Sequence, residues 1–485
     1  MSQVSEPTRS AAAKPLRAYD DLPGPRGLPL LGNALQIDTT RLHQQFEAWS
    51  QTYGPFFRVQ IGPRRLLVVS DHEHVATLLR QRPEGFRRTT RLDEIWTELG
   101  LKTGVFGANG EVWKRQRRMV MAGFDPAHVR RYYPSMQAVA RRLASRWDRA
   151  AAAGTPIPLQ PDLMRYTVDT IAGLAFGAEV NTLESDADVI QNHLDQIFPV
   201  VYRRLYASLP TWRWWPSASD RRVVEAVREV NRAVNEFVRQ ARSRLDVEPD
   251  RRARPANLLE AMLVAADEPA SGIDDDQVAG NVLTMLLAGE DTTANTLAWM
   301  LHLLWRHPEA LARAVAEVRC EVADPLAPTL EELERLTFVE ACAHETMRLK
   351  PVAPLLAFQA EADTTLGDVR VTAGMIVMPV MRHDSVSESH VPRAAAFDPD
   401  RWLEGGQGAQ AVATSPKRVS MPFGAGPRIC PGRYLALVEM KLAMATVLGH
   451  FDIDGVDAPG GGEAEERLEF TMAPVGLSLR VSARA

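Results

Sequence analysis

The stretch Phe423–Phe451, FGAGPRICPGRYLALVEMKLAMATVLGHF, joins a glycine-rich loop to a helical run, and its one cysteine decides how the rest is read. Pro431 suits the first turn of a helix, where its missing N–H would have no intrahelical partner. That puts Cys430 at a helix N-terminus, where the macrodipole and free amide donors favour a thiolate. Gly424 and Gly426 allow positive φ and close approach of backbone to something flat or bulky. A thiolate here can be a nucleophile, a metal ligand or an inert core group. A nucleophile usually needs a basic partner, and no histidine lies near it in sequence. Structural zinc needs further ligands, and no C-x-x-C occurs. A lone cysteine is most often simply buried, but the flanking Phe, Gly, Arg and Pro argue against that.

An axial ligand to haem iron needs only one cysteine. The pattern Phe423-x-x-Gly-x-Arg-x-Cys-x-Gly resembles the haem-binding signature of the cytochrome P450 superfamily, with every fixed position matched. The resemblance implies that Cys430 is the proximal thiolate ligand, that Arg428 contacts a haem propionate, and that Phe423 packs near the sulfur beside Gly424. It extends in order along nearly the whole chain. Glu345 and Arg348 form an E-x-x-R whose members share a helix face. The same spacing recurs at Glu84–Arg87, Glu225–Arg228, Glu248–Arg251 and Glu332–Arg335, where a solvated surface pair is the plain reading. Leu349-Lys350-Pro351 and the downstream FDPDRW set the Glu345 pair apart, and by resemblance Glu345, Arg348 and Arg401 make a buried structural triad.

Ala288-Gly289-Glu290-Asp291-Thr292-Thr293 interrupts the long apolar run from Asp274 to Arg306 with acids and hydroxyls. Buried polar groups need partners, and Gly289 invites a local distortion; an exposed stripe is the alternative. The patch resembles the family's oxygen-activation motif, which makes Asp291 and Thr292 the acid–alcohol pair. Trp113-x-x-x-Arg117 offers an indole N–H and a guanidinium on one helix face, both suited to a carboxylate. It resembles the family's propionate-binding helix. Members often carry a further basic propionate ligand after the E-x-x-R helix, where this chain has Leu355-Leu356-Ala357-Phe358-Gln359; His383 is the substitute expected here.

Around these motifs the 485-residue chain is ordinary for a globular protein: 45% hydrophobic, 24% charged, formal net charge −5. Those values exclude a disordered chain, collagen and an extended coiled coil. The acidic balance gives no support to a nucleic-acid partner. Three scattered cysteines, Cys320, Cys342 and Cys430, make no disulfide framework. No apolar run reaches the ~18 residues of a membrane span and no signal peptide is present, so a cytoplasmic protein without a membrane anchor is expected. Residues 1–20 read as a disordered leader and 21–485 as one domain. Phe57–Ser70 and Leu366–Met381 read as strands, Leu468–Val481 as a final hairpin, and Glu404–Pro416 as a flexible loop. Helical spacing begins near Asp71, Gly110, Pro134, Asp162, Asp220, Ile273, Pro308 and Leu333. The fold class is mainly α with a small β-rich portion. By resemblance it is the cytochrome P450 fold, a triangular helical prism with a long central helix over haem.

The resemblance implies a monooxygenase that binds haem b (iron protoporphyrin IX), activates O2 and hydroxylates or epoxidises a lipophilic small molecule. The chain ends soon after the hairpin, so electrons are expected from a separate ferredoxin or flavodoxin with its reductase. Lys114, Arg115, Arg118 and Arg433 would form a basic docking patch for it. Phe106, Ala288, Leu355, Leu356, Ala357 and Phe358 are the expected pocket. Trp212, Trp214 and Trp215, with Tyr202 and Tyr206, read as helix-packing aromatics or an entrance lip. The competing class is a haem-thiolate peroxide isomerase, peroxygenase or sensor. Asp291-Thr292 separates the two, because cleaving O2 to water requires delivered protons.

Overall fold

Helix Asp275–Arg306 is the axis around which the other helices pack. It starts where the sequence expects. The Asp274 carboxylate accepts from the Gln277 N–H at 2.8 Å and the Gln277 amide oxygen accepts from the Asp274 N–H at 3.2 Å, a reciprocal cap. From Val278 on, its residues are buried almost all round, as an unbroken apolar pattern requires. Helices Leu159–Phe176, Ala218–Val247, Thr337–Leu349 and Arg433–His450 lie against it. The computed structural model describes residues 15–124, 126–177, 180–185, 190–403 and 415–484. Among these, no helix is long and apolar enough to cross a membrane.

The β portion stands to one side. Phe56–Ile61 and Arg64–Val69 pair antiparallel across the Gly62-Pro63 turn. Arg64–Val69 then runs parallel to Ile376–Pro379, and Phe358–Ala360 and Phe86–Arg87 complete a five-stranded sheet. Thus two segments far apart in sequence, both recognisable as strands, meet in one sheet. Helix Arg433–His450 begins two residues after Pro431, which leaves Cys430 in the loop that leads into it.

Three expectations are revised. Pro134 lies inside helix Pro126–Ala153 instead of opening one. The buried stripe Val129, Tyr132, Tyr133, Met136, Val139, Ala140, Leu143, Trp147 outweighs one lost backbone bond. The terminal hairpin is tighter than expected: Glu466–Glu469 pairs with Thr471–Pro474 around Phe470. Ser478–Ala483 leaves it to pair with Phe451–Asp457 and Ile157–Pro158. Of the leader, residues 1–14 lie outside the described residues. Arg17 is ion-paired with Asp368 at 2.8 Å, and the buried Tyr19 donates its hydroxyl to the Val59 carbonyl at 2.8 Å. Of the Gly/Ala-rich loop, residues 404–414 also lie outside the described residues.

Candidate functional site

The loop from Phe423 to Gly432 is tied shut by the Cys430 N–H, which donates to the Phe423 carbonyl at 2.9 Å. Gly424 (φ 74°) and Gly426 (φ 71°) adopt the left-handed conformation the turn needs. A Cβ on Gly426 would also lie 2.7 Å from the Arg80 Cα. Burial raises the Cys430 thiol; the Gly432 N–H, Arg117 and Arg433 oppose it. A metal would settle that balance, because a coordinating thiol is deprotonated outright. Cys430 nonetheless has exposed surface, as does Ala288 in the middle of the otherwise buried central helix. Surface in such places belongs to an internal void.

Four arginines surround this void. Arg117 donates to the Ile429 carbonyl at 2.7 Å. Arg428 donates to the Ala108 carbonyl and lies 4.8 Å over the Trp113 ring. Arg88 donates to the Phe106 carbonyl at 3.1 Å, and Arg82 stacks on Phe358 at 3.9 Å. Burial comes first, followed by repulsion from Arg88 and Arg428 on Arg82, from Arg428 on Arg88 and from Arg117 on Arg428, and together they push all three below the usual guanidinium value. Arginine keeps its charge, so the shifts mean that negative charge is lacking. Among the described residues, the buried Nε and Nη2 of Arg82 and Nε and Nη1 of Arg428 have no partner. Orphaned guanidinium N–H groups beside a cysteine loop and a void fit haem, whose two carboxylates would satisfy them.

Arg82 and Arg88 escaped the sequence reading. The available signal was Phe86-Arg87-Arg88 at a strand end. Alternation sends Arg87 outward to Asp93 at 2.9 Å and Arg88 inward. His383 does not join them. Its Nδ1 is hydrogen-bonded to Asp384 at 2.8 Å, within a cluster that includes His72 and His390. The buried basic groups near the Cys430 loop are instead arginines from the other end of the chain.

A cavity of about 170 Å³ abuts Ala288 and Thr292. Its wall contains the expected Phe106, Leu355, Leu356 and Ala357, with Leu92, Trp96, Tyr202 and Phe470 in addition. Phe358 is absent from it: fully buried on the opposite face of its strand, it packs with Leu67 and Val377 in the small sheet's core. Phe198 stacks on Phe470 at 4.3 Å. Of the tryptophans, Trp212 donates to Glu98 at 2.9 Å, whereas Trp214 and Trp215 are exposed.

Thr292 and Asp291 diverge, as neighbours about 100° apart on a helix must. The Thr292 hydroxyl donates to the Ala288 carbonyl at 2.7 Å and faces the apolar cavity. Asp291 accepts from the Thr471 hydroxyl at 3.2 Å and faces a second, polar cavity of about 330 Å³. Burial and the nearby Asp195 push its carboxyl up to about 7. The triad is present: Glu345 accepts from Arg348 at 2.7 and 2.8 Å and from Arg401 at 3.3 Å. The Trp402 indole at 2.8 Å and the Asp398 N–H at 3.0 Å complete the carboxylate's shell.

A family model described as cytochrome P450 matches residues 22–480. Among curated proteins, the chain is 29% identical over 438 residues to cyclooctat-9-en-7-ol 5-monooxygenase of Streptomyces melanosporofaciens, covering 90% of each. It is 28% identical over 474 residues to pentalenene oxygenase of Streptomyces avermitilis, covering 95% of this chain and 97% of the relative. Among solved structures, the haem domain of cytochrome P450DA superposes with a TM-score of 0.81 at 25% identity. That match covers 97% of this chain and 99% of the other.

Proposed function

The chain belongs to the cytochrome P450 family and is a haem-thiolate monooxygenase by class, and from that premise we propose that it oxygenates a compact, apolar ring compound. The observation that carries this reading is the aromatic and aliphatic wall around Thr292, in which Leu92, Trp96, Phe106, Leu355, Leu356 and Phe470 offer a substrate almost no hydrogen-bonding group. Two relatives whose names specify pentalenene and cyclooctat-9-en-7-ol support it.

Haem b would be held through the Cys430 thiolate, with Trp113, Arg82, Arg88, Arg117 and Arg428 available to its carboxylates. When bound, it supplies reductive activation of O2 and transfer of one oxygen atom to the substrate. The protein does the rest. The cavity wall excludes bulk water and fixes the carbon presented. The Thr292 hydroxyl both donates and accepts, so it can hold a water and pass a proton at Oγ1. Asp291 supplies that proton by rotating or through water. Arg117 and the Gly432 N–H stabilise negative charge on the sulfur. Exposed Arg118 and Arg433 suit an acidic ferredoxin or flavodoxin as a separate electron donor.

The test is a titration of the ferric, haem-loaded protein with pentalenene, cyclooctat-9-en-7-ol, a long-chain fatty acid and a sterol. Turnover under labelled O2 with a surrogate ferredoxin system follows. Expected are a substrate-induced spectral shift with the apolar ring compounds and one labelled oxygen atom per product. Preferential response to the fatty acid, or no label in product, would reject the reading.

A further inference from the structure

Behind the central helix, the 330 Å³ cavity is lined by Gln191 and Asp195 from the chain before helix Ile197–Tyr206. Glu290, Asp291 and Asn295 come from the central helix, and Arg467, Glu469 and Thr471 from the terminal hairpin. Among the described residues, two buried oxygens in this wall have no protein partner: Glu290 Oε1, in a residue 3% exposed, and Gln191 Oε1, in a residue 4% exposed. Buried acceptors need donors, and at about 30 Å³ per molecule the space holds several waters. Asp195 and Glu290 line the same cavity wall, close enough for the charge of Asp195 to raise the Glu290 carboxyl. Two carboxyls so placed in a buried setting do not both ionise readily, which favours one proton held between them. Asp195 has exposed surface, whereas Glu290 is sealed deeper in, so the pair leads inward from the mouth.

The charges around the pair favour retention of that proton. Asp291 and Glu469 add negative charge from the central helix and the hairpin. Arg467 lies at the rim, and Arg165, on helix Leu159–Phe176, is engaged with the carbonyls of Thr182 at 2.7 Å and Ser185 at 3.0 Å. Burial pushes Asp195 up to about 6, and burial with the neighbouring acids pushes Glu290 well above the usual carboxylate range. The cavity and the apolar one have Phe198 and Thr471 in common. Thr471 donates to Asp291 and accepts from the Asn295 amide at 3.4 Å, so its hydroxyl stands at the crossing.

We propose that this cavity is a proton-loading chamber, in which Asp195 and Glu290 share a proton and pass it through water to Asp291, across the Phe198 and Thr471 partition from the apolar cavity. The inference rests on the monooxygenase reading, since reduction of O2 to water gives the chain a use for such protons. Each turnover takes up two electrons and two protons, places one oxygen atom in product and releases one water. The electrons come from the redox partner and the protons from solvent. In the chamber one carboxyl O–H bond breaks and one forms on water, then on the Asp291 carboxylate. The pair is reprotonated from solvent at Asp195. Asp195 and Glu290 are positioning residues, because neither touches substrate or cofactor.

The experiment uses the haem-loaded full chain and the nearly isosteric variants Asp195→Asn and Glu290→Gln, with Asp195→Glu as the conservative control. Infrared spectra of the ferric protein in H2O and D2O read the shared proton without turnover. The wild type should show a protonated-carboxyl C=O band at neutral pH that each amide variant loses and Asp195→Glu keeps. With a surrogate ferredoxin system and O2, the amide variants should shift O2 reduction from water toward hydrogen peroxide and enlarge the solvent isotope effect, with the Soret band unchanged. An unchanged infrared band in either amide variant, or an unchanged peroxide share and isotope effect, overturns the chamber. Wild-type protein that takes no electrons onto O2 defeats the monooxygenase reading instead, and the infrared result still decides whether the proton is shared.

Discussion

Thr292 and Cys430 can each be altered by a single atom or group, which makes them the sharpest points of test. In Thr292→Val the Ala288 carbonyl loses a donor, but the helix keeps its backbone bonds and Val fits an apolar wall, so haem content and substrate binding should persist. Product per NAD(P)H oxidised should fall by about tenfold or more, the scale of a lost proton-transfer group, while peroxide rises. Cys430→Ser should lose the red-shifted Soret band of the reduced carbon-monoxide complex; Cys320→Ser, on the surface, and Cys342→Ser, in the core, should keep it. Asp291 gives a pH test. Its carboxyl titrates near 7 folded and near ~3.9 unfolded, so the native state binds more protons between these values and stability declines as pH rises through them. Asp291→Asn should therefore raise the Tm most above about pH 7 and little near pH 4. Cys430, Arg428 and Thr292 could be singled out from sequence because each stands in a local motif. Arg82 and Arg88 could not, because only the folded chain brings residues near position 85 beside a loop near position 428.

The triad belongs to the scale of elements, since it fastens helix Thr337–Leu349 to the segment around Asp398–Trp402. Glu345 and Arg348 are fully buried, and Arg348 also donates to the carbonyls of Ser385 at 2.6 Å, Ala394 at 2.7 Å and Ala396 at 3.0 Å. Glu345→Ala leaves two guanidiniums and an indole N–H without their acceptor, and should cost about 3–5 kcal/mol in chemical denaturation. Arg401→Lys keeps a charge at the less buried member and should cost clearly less. Helix positions followed apolar spacing well, but Pro134 shows that a buried face can carry a helix through a residue that normally ends one. The last strands were misjudged for a related reason. Alternation marks Leu468–Val481 as extended, yet nothing local says that Ser478–Ala483 pairs with Phe451–Asp457 instead of its own neighbour.

For the whole molecule, the proposed haem site makes the arginine cluster a link between folding and cofactor. Arg88 and Arg428 repel the buried Arg82, and Arg428 repels Arg88; the haem carboxylates proposed above would relieve that repulsion. Arg88→Gln should thus have opposite effects on two measurements: a higher Tm for apoprotein and a weaker affinity for haem. A fall in both would show that Arg88 acts through packing alone. The overall class was readable from composition and the central helix, but the separation of two cavities was not, because Phe198, Phe470 and Thr471 come from chain segments nearly three hundred residues apart. That separation is one stacked ring pair and one hydroxyl thick. It constrains how this enzyme can change over evolutionary time. Trimming Phe198 or Phe470 to admit a bulkier molecule also opens the greasy compartment to its wet neighbour, so each gain in substrate range there is taxed by leakage of reducing power. Lineages that broaden specificity without that leak should diversify at Leu92, Trp96 and Leu356, on the dry wall, and hold the aromatic partition fixed.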